Sequence, residues 1–219
     1  MRFPKLTSAL TALCLALPVA AQQVTNYGGE STVASSTMLL FTPSFECKAA
    51  VVINHGQPEW NDDYTQMLDK LKGRLNRLGK NMWTTFMNSA PIEIGGTTVP
   101  AGSYVAGLMC DKDGKFSLAL LDAAKAMKQG LMPFGPQTWK PDVLVPMELH
   151  KDSSEESVKL MRITLTTEKD DPMHGALTIA WGPHTLTAKL AVHDHADEKE
   201  EHGKEHGEHE EHEEHGHKK

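Results

Sequence analysis

The chain has 219 residues, 39% apolar and 23% charged, which is enough for one domain with a sizeable core. Its net charge of −7 is unevenly placed: eleven Asp/Glu against four Lys fall in residues 193–219, so residues 1–192 carry eighteen acids and eighteen bases. A neutral body with an acidic end excludes the basic footprint by which proteins hold nucleic acid.

Arg2 and Lys5 precede an apolar run over residues 6–17, and Val19-Ala20-Ala21 supplies the small residues a signal peptidase reads. Residues 1–21 are therefore expected to be a cleavable export signal, leaving a periplasmic or secreted protein. The run is shorter than the ~20 apolar residues of a spanning helix, and no later stretch approaches that length, so no membrane span is expected. Leu13 stands before Cys14 where a lipoprotein signal needs a small residue. Beyond the signal the chain keeps Cys47 and Cys110, in a compartment that permits oxidation. They are either partners in a single disulfide or two small buried apolar groups.

Residues 22–44 read as a polar leader running into a first strand at 35–42. A second strand is expected over 48–54, where Ala49, Val51 and Ile53 share one face. His55-Gly56-Gln57-Pro58 then breaks the pattern. Asn61-Asp62-Asp63 offers a helix cap, and Tyr64, Met67, Leu68, Leu71, Leu75 and Leu78 follow at helical spacing, interrupted by Gly73. This predicts an amphipathic helix covering one end of a sheet. Residues 81–87 resume extended chain, and residues 92–108 read as strand, turn and strand, with Gly95-Gly96 supplying the reversal.

Asp111-Lys112-Asp113-Gly114-Lys115 joins two apolar strands as a hairpin; the later ligands of a calcium loop are missing from it. Residues 122–129 have a cap, good helix formers and Gly130 as a stop. Three prolines keep residues 133–141 out of any central strand. Strands over 143–149, 158–166, 176–181 and 185–192 complete the body. With no βαβ rhythm, residues 45–192 are expected to form a mainly β domain, an antiparallel β-sandwich with one or two short helices.

Gly79-Lys80, with Trp83 and Asn88 behind it, then Val99-Pro100-Ala101-Gly102-Ser103-Tyr104 and a closing strand ending at Trp181, resembles the exported bacterial domain of unknown function (DUF) 2911 family. The likeness covers residues 45–192, and the Pro-Ala-Gly-Ser-Tyr block is its most specific element. It departs at Trp83 to Ser89, where the family follows its Trp with Arg-Thr-Gly-Ala-Asn-Glu and this chain has Thr84-Thr85-Phe86-Met87-Asn88-Ser89. The resemblance implies a compact, mainly β exported domain and brings no established reaction.

Chemistry is most legible in the tail. Residues 193–219 hold eight histidines, His193, His195, His202, His206, His209, His212, His215 and His217, among Glu, Asp, Gly and Lys, with no apolar side chain larger than Ala. Such a segment has nothing to bury and is expected to be disordered. The spacings from His202 to His215 bring imidazoles to one face of a transient helix, and a flexible chain can also gather several on one ion. Imidazole suits zinc, copper(II) and nickel, so divalent metal is the expected partner, with no cofactor required. A solubilising arm on a structural or interaction module of the cell envelope is the alternative.

No enzyme is expected, and no catalytic residue is assigned. The tail lacks His-Glu-x-x-His, and the body lacks Gly-x-Ser-x-Gly and any spaced nucleophile and base. His55, His150, His174 and His184 are scattered singly. Trp60, Trp83, Trp139 and Trp181 read as core aromatics, with a groove for sugar or peptide as the alternative.

Overall fold

The computed structural model describes residues 32–134, 137–151 and 157–193; the expected export signal, the leader through residue 31 and the tail beyond His193 lie outside them. The fold is mainly antiparallel β with two short helices. In chain order the elements are β1 (Val33–Phe41), β2 (Cys47–Gly56), a 3-10 helix (Asp62–Gln66), α1 (Met67–Leu71), β3 (Arg74–Arg77), β4 (Thr84–Asn88), β5 (Ile92–Ile94) and β6 (Thr97–Val99). There follow β7 (Gly102–Cys110), β8 (Phe116–Asp122), α2 (Ala123–Lys128), β9 (Val143–Lys151), β10 (Val158–Thr167), β11 (His174–Gly182) and β12 (His184–Ala191). No helix among the described residues is long and apolar enough to cross a membrane.

The strands hydrogen-bond in the order β1-β2-β4-β7-β8-β9-β12-β11-β10. The two layers expected from the alternating pattern are thus halves of one continuous sheet, which curls until its last strand meets its first. Leu165 N–H in β10 donates to Ser36 Oγ in β1 at 2.9 Å. Just past β2, Trp60 N–H donates to the Lys159 carbonyl at 2.6 Å and Met161 N–H to the Pro58 carbonyl at 3.1 Å. Closure removes two exposed strand edges and turns one face of every strand into an enclosed interior. Phe86, Leu120, Val145, Leu177 and Leu190 fill that interior and are fully buried.

A smaller cluster lies on the outer face, where Leu75, Val105, Leu121, Ala126 and Trp139 pack under α2 and the proline-rich loop. The α2 expectation holds in detail. Asp122 Oδ1 accepts from Lys125 N–H at 2.8 Å as the cap, and Gly130 follows the helix at φ +62°.

The hairpin of β5 and β6 closes one end of the barrel. Gly95 and Gly96 occupy its two-residue turn at φ +58° and +74°, the left-handed region a tight hairpin requires. The register Leu190↔Ile94 ties it to the end of β12, and Ile92, Ile94 and Val99 are buried as a stopper. Asn88, at the end of β4, holds the stopper in place: its Nδ2 donates to the carbonyls of Ala90 (2.8 Å), Val99 (3.2 Å) and Pro100 (2.9 Å). Tyr104 OH donates to the same Pro100 carbonyl at 2.8 Å. The Pro100 to Tyr104 block therefore has a structural reason, since a backbone carbonyl turned inward by the proline is satisfied by two buried side chains.

One expected element divides. The stripe from Tyr64 to Leu78 is not a single helix, because α1 ends at Leu71 and Gly73 takes φ +69°. Residues 74–77 instead pair with β7 from Arg74↔Cys110 to Arg77↔Gly107. β4 pairs only as far as Ala106, so the edge of β7 beyond it has backbone groups to satisfy, and β3 satisfies them.

Asn88→Asp tests the stopper. The change keeps the side chain's shape, removes the donor and sets a buried carboxylate against three carbonyls. Equilibrium denaturation is expected to show a loss of at least about 3 kcal/mol, as for other uncompensated buried charges, and Asn88→Ala a smaller one.

Candidate functional site

The opposite end of the barrel is not filled. A cavity of about 340 Å3 opens there, where β2, β7, β9 and β11 finish and β8, β10 and β12 begin. Its inner walls are Leu108, Phe116, Leu149, Met161, Ile179 and Leu186. Its roof is the segment that the helical stripe foretold: Trp60, Tyr64, Leu68 and Leu71 turn one apolar face down over the opening. The expectation of a helical segment covering one end of the sheet is met, by a 3-10 turn running into α1.

The roof is pinned at both ends. On the entering side, residues 58–60 are stitched to β10, and Trp181 Nε1 donates to the Pro58 carbonyl at 2.9 Å. On the leaving side, Asn76 Nδ2 reaches the carbonyls of Arg74 (3.0 Å), Leu71 (3.4 Å) and Leu108 (3.4 Å). Between these anchors stands an aromatic cluster. Trp60 meets Trp181 edge to face with centroids 5.0 Å apart, and Tyr64 lies 5.1 Å from Trp181 and 5.9 Å from Trp60. The His184 ring is 5.6 Å from Trp60. Gly182, at φ +60° between Trp181 and His184, leaves room for the Trp60 ring, which a Cβ there would strike.

The four tryptophans thus divide. Trp60 and Trp181 line the cavity, while Trp83 and Trp139 pack edge to face at 6.2 Å in the outer cluster. Sequence reasoning placed His184 among scattered single residues, yet it belongs to the cavity wall. The usable signal was Trp181-Gly182-Pro183-His184, a tight turn carrying two ring side chains toward a third at Trp60.

Of the candidate metal ligands, only His193 falls within the described residues, with Nε2 3.4 Å from Glu93 Oε2 at the stoppered end. His195, His202, His206, His209, His212, His215 and His217 lie outside them. Among the described residues no three His, Cys, Asp or Glu side chains converge as ligands.

The candidate disulfide is not formed. Cys47 is an exposed free thiol and Cys110 a buried one. Cys47 begins β2, and Cys110 ends β7, which runs the same way two strands over. The register sets them a dozen residues apart along the barrel, roughly 40 Å at ~3.3 Å a residue against the ~7 Å limit for a disulfide. Burial pushes the Cys110 thiol pKa up, and Asp111 adds to the effect, which leaves Cys110 inert.

The chain matches no family model, no characterised protein and no solved structure.

One buried titratable group sits against the cavity wall. His55 is 1% exposed, and its Nε2–H donates to the Met161 carbonyl at 3.3 Å. Its Nδ1 has no partner among the described residues. Burial holds its pKa below the ordinary 6.5, only partly offset by the bond to Met161. The unfolded chain then binds the proton more readily, so stability is full above about pH 6.5 and is lost as the pH falls below it. Denaturant midpoints at pH 7.5 and 5.5 are expected to fall apart in the wild type. They should lie closer together in His55→Gln, which can still donate to Met161 but cannot charge.

Proposed function

We propose that the chain is an exported, non-catalytic binding protein that takes up a small apolar ligand in the roofed end of its barrel. The cavity carries this reading. At 340 Å3 it has the size of a small-molecule site, and its wall is mostly hydrocarbon and aromatic ring with a few neutral polar groups. Water in such a wall finds few partners and is easily displaced by an apolar body. The sequence resemblance to the DUF2911 family over residues 45–192, which no family-model match supports, would imply a compact, mainly β exported domain and brings no established reaction.

An uncharged environment-sensitive dye such as N-phenyl-1-naphthylamine tests the reading. Its fluorescence should rise on binding and quench that of Trp60 and Trp181. Leu68→Trp, which places a larger side chain under the roof, should weaken binding at least about tenfold while leaving the circular dichroism of the sheet unchanged. A wild type that ignores the dye, or a variant that binds it as well, would overturn the proposal.

A second reading rests on the eight histidines of residues 193–219, interleaved with carboxylates: the tail chelates zinc, copper(II) or nickel, buffering the ion or delivering it outside the cytoplasm. Protons compete with metal for the same nitrogens. Zinc titration calorimetry on the full chain should show affinity falling steeply between pH 7 and pH 5, and little uptake once residues 193–219 are removed. Equal affinity at both pH values, or undiminished binding by the shortened chain, would count against it.

A further inference from the structure

The charges around the cavity bear on what can enter it. Strand alternation sends the Arg77 side chain to the outer face with Leu75, which packs in the outer cluster, while Asn76 between them faces the interior. Arg77 therefore edges the cavity as backbone and keeps its exposed guanidinium outside. Near the opening Glu59 and Lys159 neutralise each other at 2.8 Å, and Asp69 does the same with Lys72 at 2.9 Å. Asp62 and Asp63 are exposed on the roof's first turn, away from its apolar face. The remaining polar side chains of the wall are Tyr64, Asn76, the indole of Trp60 and the ring of His184. Tyr64 is half-buried in the roof, and its hydroxyl makes no hydrogen bond among the described residues. Asn76 spends its amide N–H groups on backbone carbonyls, which leaves Oδ1 as an acceptor.

From this we infer that the cavity selects an uncharged amphiphile, an apolar chain or ring system ending in a hydroxyl or carbonyl, whose polar end is met by Tyr64 OH and Asn76 Oδ1. The inference rests on the cavity being a ligand site and adds the class of ligand. A hydroxyl both donates and accepts, so it can donate to Asn76 Oδ1 and accept from Tyr64. Apart from Arg77, no residue of the wall carries a fixed charge, so a carboxylate or an ammonium must leave its head in water or be buried in a largely apolar wall without an ionic partner. At about 30 Å3 per water-sized group, the volume equals roughly eleven such groups, which sets the ligand near a dozen heavy atoms.

Decan-1-ol, decanoate and decyltrimethylammonium share one chain and differ in the head, and each can displace the naphthylamine dye from the full-length protein at pH 7.5. The alcohol is expected to compete at least about tenfold better than either ion. Tyr64→Phe keeps the ring and roof packing but removes the hydroxyl; it should weaken the alcohol about three- to tenfold more than it weakens the dye. Decanoate or the ammonium competing as well as the alcohol would overturn the inference of neutral selection while the cavity reading stands. A Tyr64→Phe variant with undiminished affinity for the alcohol would overturn the role of that hydroxyl. Dye binding with no displacement by any of the three would reject the single-chain amphiphile as the class, and failure of the dye itself would sink both readings together.

Discussion

Closure of the sheet at the seam between β10 and the start of the chain governs everything else in this molecule. The main-chain bonds between residues 58–60 and 159–161, with Ser36 reaching Leu165, turn a twisted ribbon into a tube. Without them the interior faces of β1, β2, β10 and β11 would be wet, and the apolar residues they carry would have no opposite wall. With them, the ends of the tube become the only places where interior and solvent meet. The two ends are treated differently. One receives a hairpin of two three-residue strands held by Asn88, and the other a short helical roof that bridges a gap rather than filling it.

Most local elements were legible because their signals are local. Asp113-Gly114 between alternating apolar residues, Gly95-Gly96, and Asp122 ahead of good helix formers each dictate geometry within a few residues, and each appears where expected. Leu75 and Leu78 misled because two spacings coincide. They continue a helical stripe from Leu71, but Leu75 stands on, and Leu78 just past, a short strand whose need arises from an unfilled edge of β7. Nothing within ten residues of Leu75 reports that edge. The seam is invisible for the same reason, since its partners are about a hundred residues apart and each run alone reads as an ordinary strand or loop.

The cavity lay further from view. It is assembled from the ends of seven strands and one connecting segment, so no run of sequence contains it. Trp60 and Trp181 are compatible with core packing, and half of that expectation is met by Trp83 and Trp139. What separates the pairs is the face each ring meets: Trp60 and Trp181 turn to the open end of the barrel, while Trp83, one residue before β4, and Trp139 lie in the outer cluster.

The cavity and His193 lie at opposite poles of the barrel. β12 starts at His184 in the cavity wall, and the described chain ends at His193 beside Glu93 near the stopper. Nine residues of extended chain separate these histidines by about 30 Å, several times the ~8 Å over which charges act at physiological salt. A charge on His193 therefore has no direct electrostatic route to the cavity. Acid reaches the cavity through His55 instead, because the carbonyl that its ring holds belongs to Met161, a residue of both the seam and the cavity wall. A proton on the bare Nδ1 creates a buried charge and an unmatched donor behind that seam, so acid weakens the folded state where the barrel closes.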